Sequence, residues 1–157
     1  MKCLWRSVFM VILLAGGVNQ TVFGSPSEKE DAQQISAYFF AAARIGEVDV
    51  LEQFINAGFP INLRNLESYT ALMIAAYNGQ FKAVELLIQN GADACARDKR
   101  GNTALMGALI KGELSIAKLL YQQTCSDRPN KAGLTLSEFA KIYGQADTLK
   151  GFANKEK

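Results

Sequence analysis

The chain contains no histidine among its 157 residues. Histidine is the side chain most often used as a general base near neutral pH, and it is also the commonest metal ligand. Its absence excludes Ser-His-Asp and Cys-His nucleophile arrangements. No glycine-rich phosphate-binding loop is recognised either, because the sequence has no parallel-strand pattern to precede one. We therefore predict a protein that is not an enzyme, without catalytic residues, metal ligands or a cofactor.

The chain also has few cysteines and little net charge. The chain has three cysteines, of which Cys3 lies in the N-terminal segment, and without histidine the remaining Cys95 and Cys125 make a poor zinc site. Removing Lys2 and Arg6 with that segment reduces the 17 basic residues to 15, equal to the 15 acidic ones. A near-neutral chain has no general attraction to nucleic acid or to a membrane surface, so neither is expected as a partner.

An uncharged, mostly apolar run lies near the N terminus. Lys2 and Arg6 precede this run, which covers residues 8–18, and the small residue Gly24 follows it. The layout is typical of a secretory signal peptide, so residues 1–24 are predicted to be removed by cleavage after Gly24. The alternative is a membrane anchor, but a spanning helix needs about 20 apolar residues. We expect a periplasmic or secreted protein that is not inserted in a membrane after cleavage.

What the chain does contain is an internal repeat. Thr70-Ala71-Leu72-Met73 recurs as Thr103-Ala104-Leu105-Met106, 33 residues later (103 − 70). A period of this length indicates stacked repeats rather than one closed globule. Glycines keep the same register, with steps of 33, 33 and 32 residues, at Gly46, Gly79, Gly112 and Gly144.

Each unit is predicted to form a helix, a tight glycine turn, a second helix and an extended loop. Thr70, Thr103 and Thr135 are placed to cap the first helices, because a hydroxyl accepts from an unpaired amide in the first turn. Gly58 and Gly91 stand where the second helix ends and the backbone becomes left-handed. A short helix pair cannot bury its apolar face alone, so the units must stack. The face expected to be buried consists of Leu72, Ala75, Val84, Leu86 and Leu87.

The predicted fold class is therefore all-α, a solenoid of about three helix-turn-helix repeats plus a C-terminal capping half-repeat. The repeats cover residues 35–152. Residues 25–34 are polar and charged and are predicted to be a flexible lead-in with no core to bury. Residues 153–157 are expected to be a C-terminal tail.

These motifs resemble the ankyrin repeat, whose usual wording is Thr-Pro-Leu-His and Gly-Ala-Asp-Val-Asn. Residues 68–100 match best, with Thr-Ala-Leu-Met, Ala-Ala-x-x-Gly, a Val-x-Leu-Leu-Ile helix and Gly-Ala-Asp. Met73 and Met106 stand where the family usually has histidine, so the usual Thr–His hydrogen bond is absent. Thr124 replaces the glycine that ends the second helix in the other units. The resemblance implies an ankyrin-repeat solenoid that binds another protein.

The resemblance also bears on Cys95 and Cys125. Adjacent ankyrin units place equivalent residues about 10 Å apart, and Cys125 corresponds by offset to Ala92, three residues from Cys95. Two cysteines in an oxidising compartment permit a disulfide, although Cα atoms more than about 7 Å apart cannot be bridged without movement. Both arrangements stay open, with two buried, unreacted thiols ranked ahead of the disulfide.

Ankyrin stacks resemble a cupped hand, in which loop tips form fingers and first helices form a palm. Tyrosines on this surface are large amphipathic side chains of the kind that dominate interfaces. By family position, the finger residues are Leu66, Glu67, Tyr69, Lys99, Arg100, Asn102, Lys131 and Leu134. The palm residues are Arg44, Ile45, Tyr77, Asn78, Ile110, Lys111, Ile142 and Tyr143. A positive cluster is expected on the middle and late units, at Lys99, Arg100, Lys111 and Lys131.

The resemblance thus implies a non-enzymatic interaction module that is exported to the periplasm, is monomeric alone and holds a partner protein on its concave surface. The chain also resembles exported bacterial ankyrin proteins that are associated with protection from oxidative stress or with neutralising a partner protein. The positive cluster predicts an acidic partner surface and an affinity that falls as salt rises. A structural or assembly subunit of an envelope complex and a secreted effector are the alternatives that stay open.

Overall fold

A computed structural model describes residues 26–154, and no strand occurs within that part of the chain. The predicted all-α solenoid is confirmed. The predicted signal peptide at 1–24 and most of the predicted tail at 153–157 lie outside the described residues. The helices are α1 (Pro26–Ile45), α2 (Val48–Asn56), α3 (Ala71–Tyr77), α4 (Phe81–Gln89), α5 (Ala104–Lys111), α6 (Leu114–Tyr121), α7 (Leu136–Ile142) and α8 (Ala146–Ala153).

The helices form four pairs that stack in a row. The first helices, α1, α3, α5 and α7, pack one against the next and form one layer. The second helices, α2, α4, α6 and α8, form the other layer, and each also packs against the first helix of its own pair. The fourth pair, α7 and α8, closes the C-terminal end of the described stack.

The prediction of a flexible lead-in at residues 25–34 is wrong. Those residues from Pro26 onward belong to α1, which runs for 20 residues to Ile45. Proline is tolerated in the first turn of a helix. Residues 30–35 are exposed, as expected where no core is available. The segment is helical because good helix formers extend the repeat's first helix toward the N terminus.

The core lies between the two layers and between successive pairs. Leu72 and Leu87 of the second pair are 1% and 0% exposed, and burying each such side chain contributes about 1.5–3 kcal/mol. Ala75 and Ala108 are fully buried, which lets neighbouring first helices approach closely. Leu86, predicted to be buried with them, is only half-buried.

An aromatic cluster closes the N-terminal end of this core. Phe39 is fully buried, and its ring centroid lies 5.3 Å from that of Phe54 and 4.8 Å from that of Phe59. Phe40 is 8% exposed and packs against Phe39. Aromatic pairs at such distances add about 0.5–1.5 kcal/mol beyond the area they bury. The cluster supplies the first pair with the apolar contacts that inner pairs obtain from a neighbour on each side.

The three predicted threonine caps are confirmed. The hydroxyl oxygen of Thr70 accepts a hydrogen bond from the backbone N–H of Met73 at 3.3 Å. Thr103 caps α5 in the same way, and Thr135 caps α7. The first helix of each of the last three pairs therefore starts at the same position in the repeat. This common register aligns the ends of these helices on one side of the stack.

The turn inside each pair also repeats. Gly79 and Gly112 have φ angles of +73° and +72°, so the two turns share one left-handed backbone conformation that favours glycine. The predicted register of these glycines is confirmed. Thr124 has a φ of +41° at the end of the third pair, where the other units have glycine.

Candidate functional site

The loops between pairs carry three equivalent tight turns, at Asn65, Asp98 and Asn130. In the second turn, Oδ1 of Asp98 accepts backbone hydrogen bonds from Arg100 and Asn102, both at 2.8 Å. Oδ1 of Asn65 and of Asn130 each accept two such bonds from the residues two and four positions later. An Asx side chain that binds its own backbone in this way favours a turn over a longer loop. Sequence reasoning missed these turns, although the Asp98-x-x-Gly101 and Asn130-x-x-Gly133 patterns were available.

Successive turns are joined by arginine side chains. The guanidinium of Arg64 donates to the carbonyls of Ser68 and Arg97, and therefore links the first turn to the second. Arg97, 33 residues later, donates to the carbonyl of Gly101 in its own turn. It also reaches three carbonyls of the next loop, those of Ser126, Arg128 and Pro129. The finger loops are therefore braced against one another by charge-assisted hydrogen bonds.

A disulfide adds a covalent link at the same edge. The Sγ atoms of Cys95 and Cys125 lie 1.99 Å apart, with their Cα atoms 5.4 Å apart. Both residues are exposed. The structure therefore contradicts the prediction for these cysteines, which ranked two buried, unreacted thiols ahead of a disulfide. The loop that carries Cys125 therefore lies against the loop of the preceding unit that carries Cys95.

A groove of about 550 Å³ runs across the concave side of the stack. It brings together eight of the sixteen predicted finger and palm residues, contributed by all four helix pairs and their loops. These are Arg44, Tyr69, Tyr77, Asn78, Arg100, Asn102, Ile110 and Tyr143. The groove is also lined by five residues that are not among the predicted finger and palm positions, namely Met73, Ile74, Asp98, Thr103 and Gly107.

The other eight predicted residues lie outside the lining of this groove. Lys111 is the nearest of them, with Nζ 5.0 Å from the ring centroid of Tyr77. Leu66 is 91% exposed at the tip of the first finger, and Leu134 is half-buried. The remainder are exposed side chains of the palm and fingers, namely Ile45, Glu67, Lys99, Lys131 and Ile142.

Four large side chains lie along the palm and are called the apolar stripe, defined as Ile45, Tyr77, Ile110 and Tyr143. Their exposed fractions are 64%, 46%, 37% and 45%. Each lies at or directly after the end of the first helix of its pair, Tyr77 and Ile110 at one repeat position and Ile45 and Tyr143 at the next. Exposed apolar side chains that lie together, rather than singly, mark interaction surfaces in proteins.

The predicted positive cluster is partly neutralised. Nζ of Lys99 lies 3.7 Å from the carboxylate of Glu67 on the neighbouring finger, and both side chains are exposed. Arg100, Lys111 and Lys131 have no such ion pair with any described residue. The net positive charge of the concave side therefore rests on these three residues and on Arg44.

A second cavity, of about 870 Å³, lies between the third and fourth pairs. Leu105 and Leu120 of the third pair face Leu136 and Leu149 of the fourth across it, and the loop that carries Cys125 lines one side. Sequence reasoning missed this crevice. Between residues 26 and 154, no group of three or more acidic or cysteine side chains is placed to hold a metal ion.

The carboxylate of Glu138 lies at the edge of the crevice. It accepts hydrogen bonds from the backbone N–H of Thr135 at 2.9 Å and from the Thr135 hydroxyl at 2.7 Å. These two bonds, the backbone one first, lower the pKa of Glu138 below its ordinary value of 4.5. The side chain thus completes a capping box for α7, which accounts for its position without a catalytic role.

This repeated architecture is that of a known family. The family model described as Ankyrin repeats (3 copies) matches residues 39–132, and the chain belongs to this family. Ankyrin repeats are a non-enzymatic fold that binds other proteins. No match to a curated protein was found. Among the described helices, none has the length and apolar character that crossing a membrane requires.

Proposed function

We propose that the chain is an exported, non-enzymatic module that holds another protein in its concave groove. The observation that carries this proposal is the groove itself, to which all four helix pairs contribute. Three members of the apolar stripe, Tyr77, Ile110 and Tyr143, line the groove and supply the large side chains that anchor protein interfaces. The braced finger loops keep the groove formed without a partner, which lowers the entropy cost of binding.

Export is proposed from the leader pattern of residues 1–24 and from the disulfide. A bond between two exposed cysteines persists in an oxidising compartment and is rare in the cytosol. The expected result is a chain that begins at Ser25 when it is recovered from the periplasm or the culture medium of its producing cells. N-terminal sequencing after cell fractionation measures this directly. Recovery of the intact N terminus from the cytosol contradicts the export half of the proposal but not the binding half.

Capture of a partner from an envelope extract tests the binding half. The variant Ile110→Ser/Tyr143→Ser removes two members of the apolar stripe and is expected to retain little of the partner. Leu114→Ser is the matched control, because Leu114 is 46% exposed but lies on α6, outside the groove lining. Equal capture by both variants contradicts the proposal.

Charge supplies a second arm of the same experiment. Arg100→Glu/Lys111→Glu reverses two cations of the concave side that have no ion pair among the described residues. Capture is expected to fall with this variant, and capture by the unmodified chain is expected to fall as salt rises. Retention that is insensitive to both changes contradicts an acidic partner surface.

We also propose for this chain the protective or neutralising role that is associated with similar exported proteins. A chain that holds a partner in this groove acts by occupying that partner's surface, so its effect requires the apolar stripe. Loss of the cell's tolerance to oxidants in the Ile110→Ser/Tyr143→Ser strain, with normal tolerance in the Leu114→Ser strain, is the expected result for protection. Equal tolerance in the two strains contradicts a protective role through the groove.

A further inference from the structure

The crevice between the third and fourth pairs lies where the repeat replaces large side chains by small ones. In α6 of the third pair, the first helical residue is Leu114 and the last is Tyr121. In α8, Ala146 and Ala153 stand at the corresponding places, 32 residues later in each case (146 − 114, 153 − 121). Residues seven positions apart lie on the same face of a helix, and both alanines line the crevice. Two truncated side chains therefore leave space along one face of α8.

The space that remains has the size and the apolar walls of a small-molecule site. Its volume of about 870 Å³ lies within the range of about 300–1,000 Å³ that is usual for ligand pockets. Leu136 and Leu149 of the fourth pair line it and are only half-buried. Apolar surface that water reaches in this way favours a ligand with an apolar body, because binding removes that surface from water.

Basic side chains outnumber acidic ones in the lining of the crevice. The basic residues are Arg97, Arg128, Lys141 and Lys150, and the acidic residues are Asp127 and Glu138. The lining therefore carries two more positive than negative charges (4 − 2). This excess favours an anionic group on the ligand.

The two carboxylates of the lining are already engaged by the chain itself. Asp127 accepts a hydrogen bond from the backbone N–H of Leu136 at 2.9 Å, and Glu138 accepts from the backbone N–H and the hydroxyl of Thr135. Their position is thus explained by the start of α7, where negative charge is favourable. Neither carboxylate is paired with a cation of the lining in an ion pair.

Two of the four cations are available to a ligand. Arg128 and Lys141 make no ion pair with any described residue. In contrast, Lys150 lies 3.4 Å from the carboxylate of Asp147, and the guanidinium of Arg97 donates to backbone carbonyls. An anionic group that enters the crevice would therefore be attracted mainly by Arg128 and Lys141.

From these observations we infer that the crevice binds a small amphipathic acid, an alkyl chain that ends in a carboxylate. The alkyl chain lies between the leucines of the third and fourth pairs, and the carboxylate faces Arg128 and Lys141. This inference does not depend on the proposed function, because the site is formed between the last two pairs and does not require a partner protein in the concave groove.

Three ligands with the same ten-carbon chain test the inference with the purified chain. Decanoate, decan-1-ol and decyltrimethylammonium differ in the charge of the head group and are used below the concentrations at which they aggregate. Binding is followed by NMR of the leucine methyl groups, with Leu136 and Leu149 as reporters and the buried Leu72 of the second pair as internal reference. Decanoate is expected to shift both reporters and to bind more tightly than the alcohol, and the ammonium ion is expected to bind least.

Binding is also expected to protect the end of the stack. Within the described chain α8 has no fully buried side chain, and a ligand that binds only the folded state stabilises that state by mass action. Amide protons of α8 should therefore exchange more slowly with solvent when decanoate is bound, which hydrogen-exchange NMR measures.

The variant Arg128→Gln/Lys141→Gln tests the charge of the site. Its affinity for decanoate is expected to fall by about 1.4- to fivefold for each cation removed, the range for exposed ion pairs, with no change for decan-1-ol. Lys118→Gln/Lys131→Gln is the matched control, because it removes the same charge from two residues outside the lining. This control is expected to bind decanoate as the unmodified chain does.

The variant Ala146→Leu/Ala153→Tyr tests the space itself. It introduces the side chains of the third pair at both places, so it should fill the crevice and abolish the shift of Leu149 by decanoate. A urea midpoint no lower than that of the unmodified chain shows that the variant is folded. Where the midpoint is lower, the two glutamine variants still decide between the outcomes.

No shift of Leu136 and Leu149 with decanoate, or equal affinity for the three ligands, overturns the inference. An equal loss of affinity in the two glutamine variants, or unchanged decanoate binding by a folded Ala146→Leu/Ala153→Tyr variant, also overturns it. None of these results bears on the concave groove, whose role is tested separately by capture of a partner.

Discussion

The side chain of Glu113 lies directly over Gly79, so that a Cβ atom on Gly79 would sit 2.8 Å from Oε1 of Glu113. The two residues are 34 positions apart, one in the turn of the second pair and the other at the start of α6. Gln80 covers Gly46 in the same way one unit earlier. The left-handed backbone angle of Gly79 favours glycine, and a Cβ there would also make the end of the Glu113 side chain move.

Replacing Gly79 by alanine is expected to destabilise the fold mainly through the left-handed backbone angle. Gly58 provides the matched control, since its φ is +77° and a Cβ there would meet no described atom within 4 Å beyond its chain neighbours. Gly58→Ala is expected to cost about 1–2 kcal/mol, the usual penalty of a left-handed residue with a Cβ. Gly79→Ala should cost about as much, because the Glu113 carboxylate is the far end of a flexible side chain and can move aside. Urea denaturation measures both variants, and a cost for Gly79→Ala several times that of Gly58→Ala contradicts a mobile Glu113 side chain.

Ser68 is expected to be a site where glycine stabilises the protein. It has a φ of +63°, and its counterparts in the next two turns are Gly101 and Gly133, with φ angles of +81° and +78°. Ser68→Gly relieves the left-handed penalty but increases the freedom of the unfolded chain, so a net gain of about 0.5–1 kcal/mol is expected. Thermal unfolding tests this. A lower unfolding temperature for Ser68→Gly contradicts the expectation.

The opposite substitution offers a control at an equivalent position. A Cβ on Gly101 would lie 3.1 Å from the backbone of Asn130 and Lys131. Gly101→Ser should therefore destabilise the protein by more than Ser68→Gly stabilises it, because the backbone of the next finger has to move.

Loss of the disulfide is expected to lower the free energy of unfolding by about 3–4 kcal/mol. This magnitude follows from the sequence separation of 30 residues between Cys95 and Cys125 and from the entropy of the unfolded loop that the bond removes. Both cysteines are exposed, so a reductant in solution can reach them. The unfolding midpoint in urea is measured with and without dithiothreitol. Cys95→Ser/Cys125→Ser is the control and should be insensitive to the reductant; an equal midpoint for the unmodified chain in both conditions contradicts the expected contribution.

Glu138 should make the stability of α7 dependent on pH in the acid range. Hydrogen bonds from Thr135 lower its pKa below 4.5, so the folded state favours the carboxylate. The stabilisation is therefore complete above the ordinary glutamate pKa and is lost as pH falls through the lowered pKa of the folded protein. A carbon-13 NMR titration of the side-chain carboxyl follows this directly. In Thr135→Ala the pKa should rise only part of the way, because the backbone N–H still donates; an unchanged pKa contradicts a contribution from the hydroxyl.

The repeat positions of the fold could be predicted because they depend on local rules. A threonine before an apolar helix, a glycine at a left-handed turn and a 33-residue offset are each visible in the sequence, and Thr70, Thr103, Gly79 and Gly112 take the places expected of them. The N-terminal half of α1 was missed for a different reason. Its polar composition suggested a disordered segment, but helix propensity and continuity with Phe39 and Phe40, which are anchored in the core, extend the helix through it.

Contacts between units were harder to predict than the units themselves. The pairing of Lys99 with Glu67 and the reach of Arg97 to the carbonyl of Arg128 depend on how neighbouring loops are offset, which the repeat period does not specify. The same holds for Cys95 and Cys125. Cys125 corresponds by offset to Ala92 and not to Cys95, so the repeat period alone does not specify the 5.4 Å between the two Cα atoms.

The crevice beside the fourth pair affects where the molecule begins to unfold. In a linear array each unit is held only by its neighbours, and within the described chain α8 has no fully buried side chain. Local unfolding starts where the fewest groups are buried, which places the first step at α8 and α7 rather than in the middle of the stack. The covalent link at Cys125 limits how far this fraying travels toward the N terminus. Amide protons of α7 and α8 therefore exchange with solvent sooner than those of α3, and exchange proceeds from the C-terminal end of the stack toward its middle.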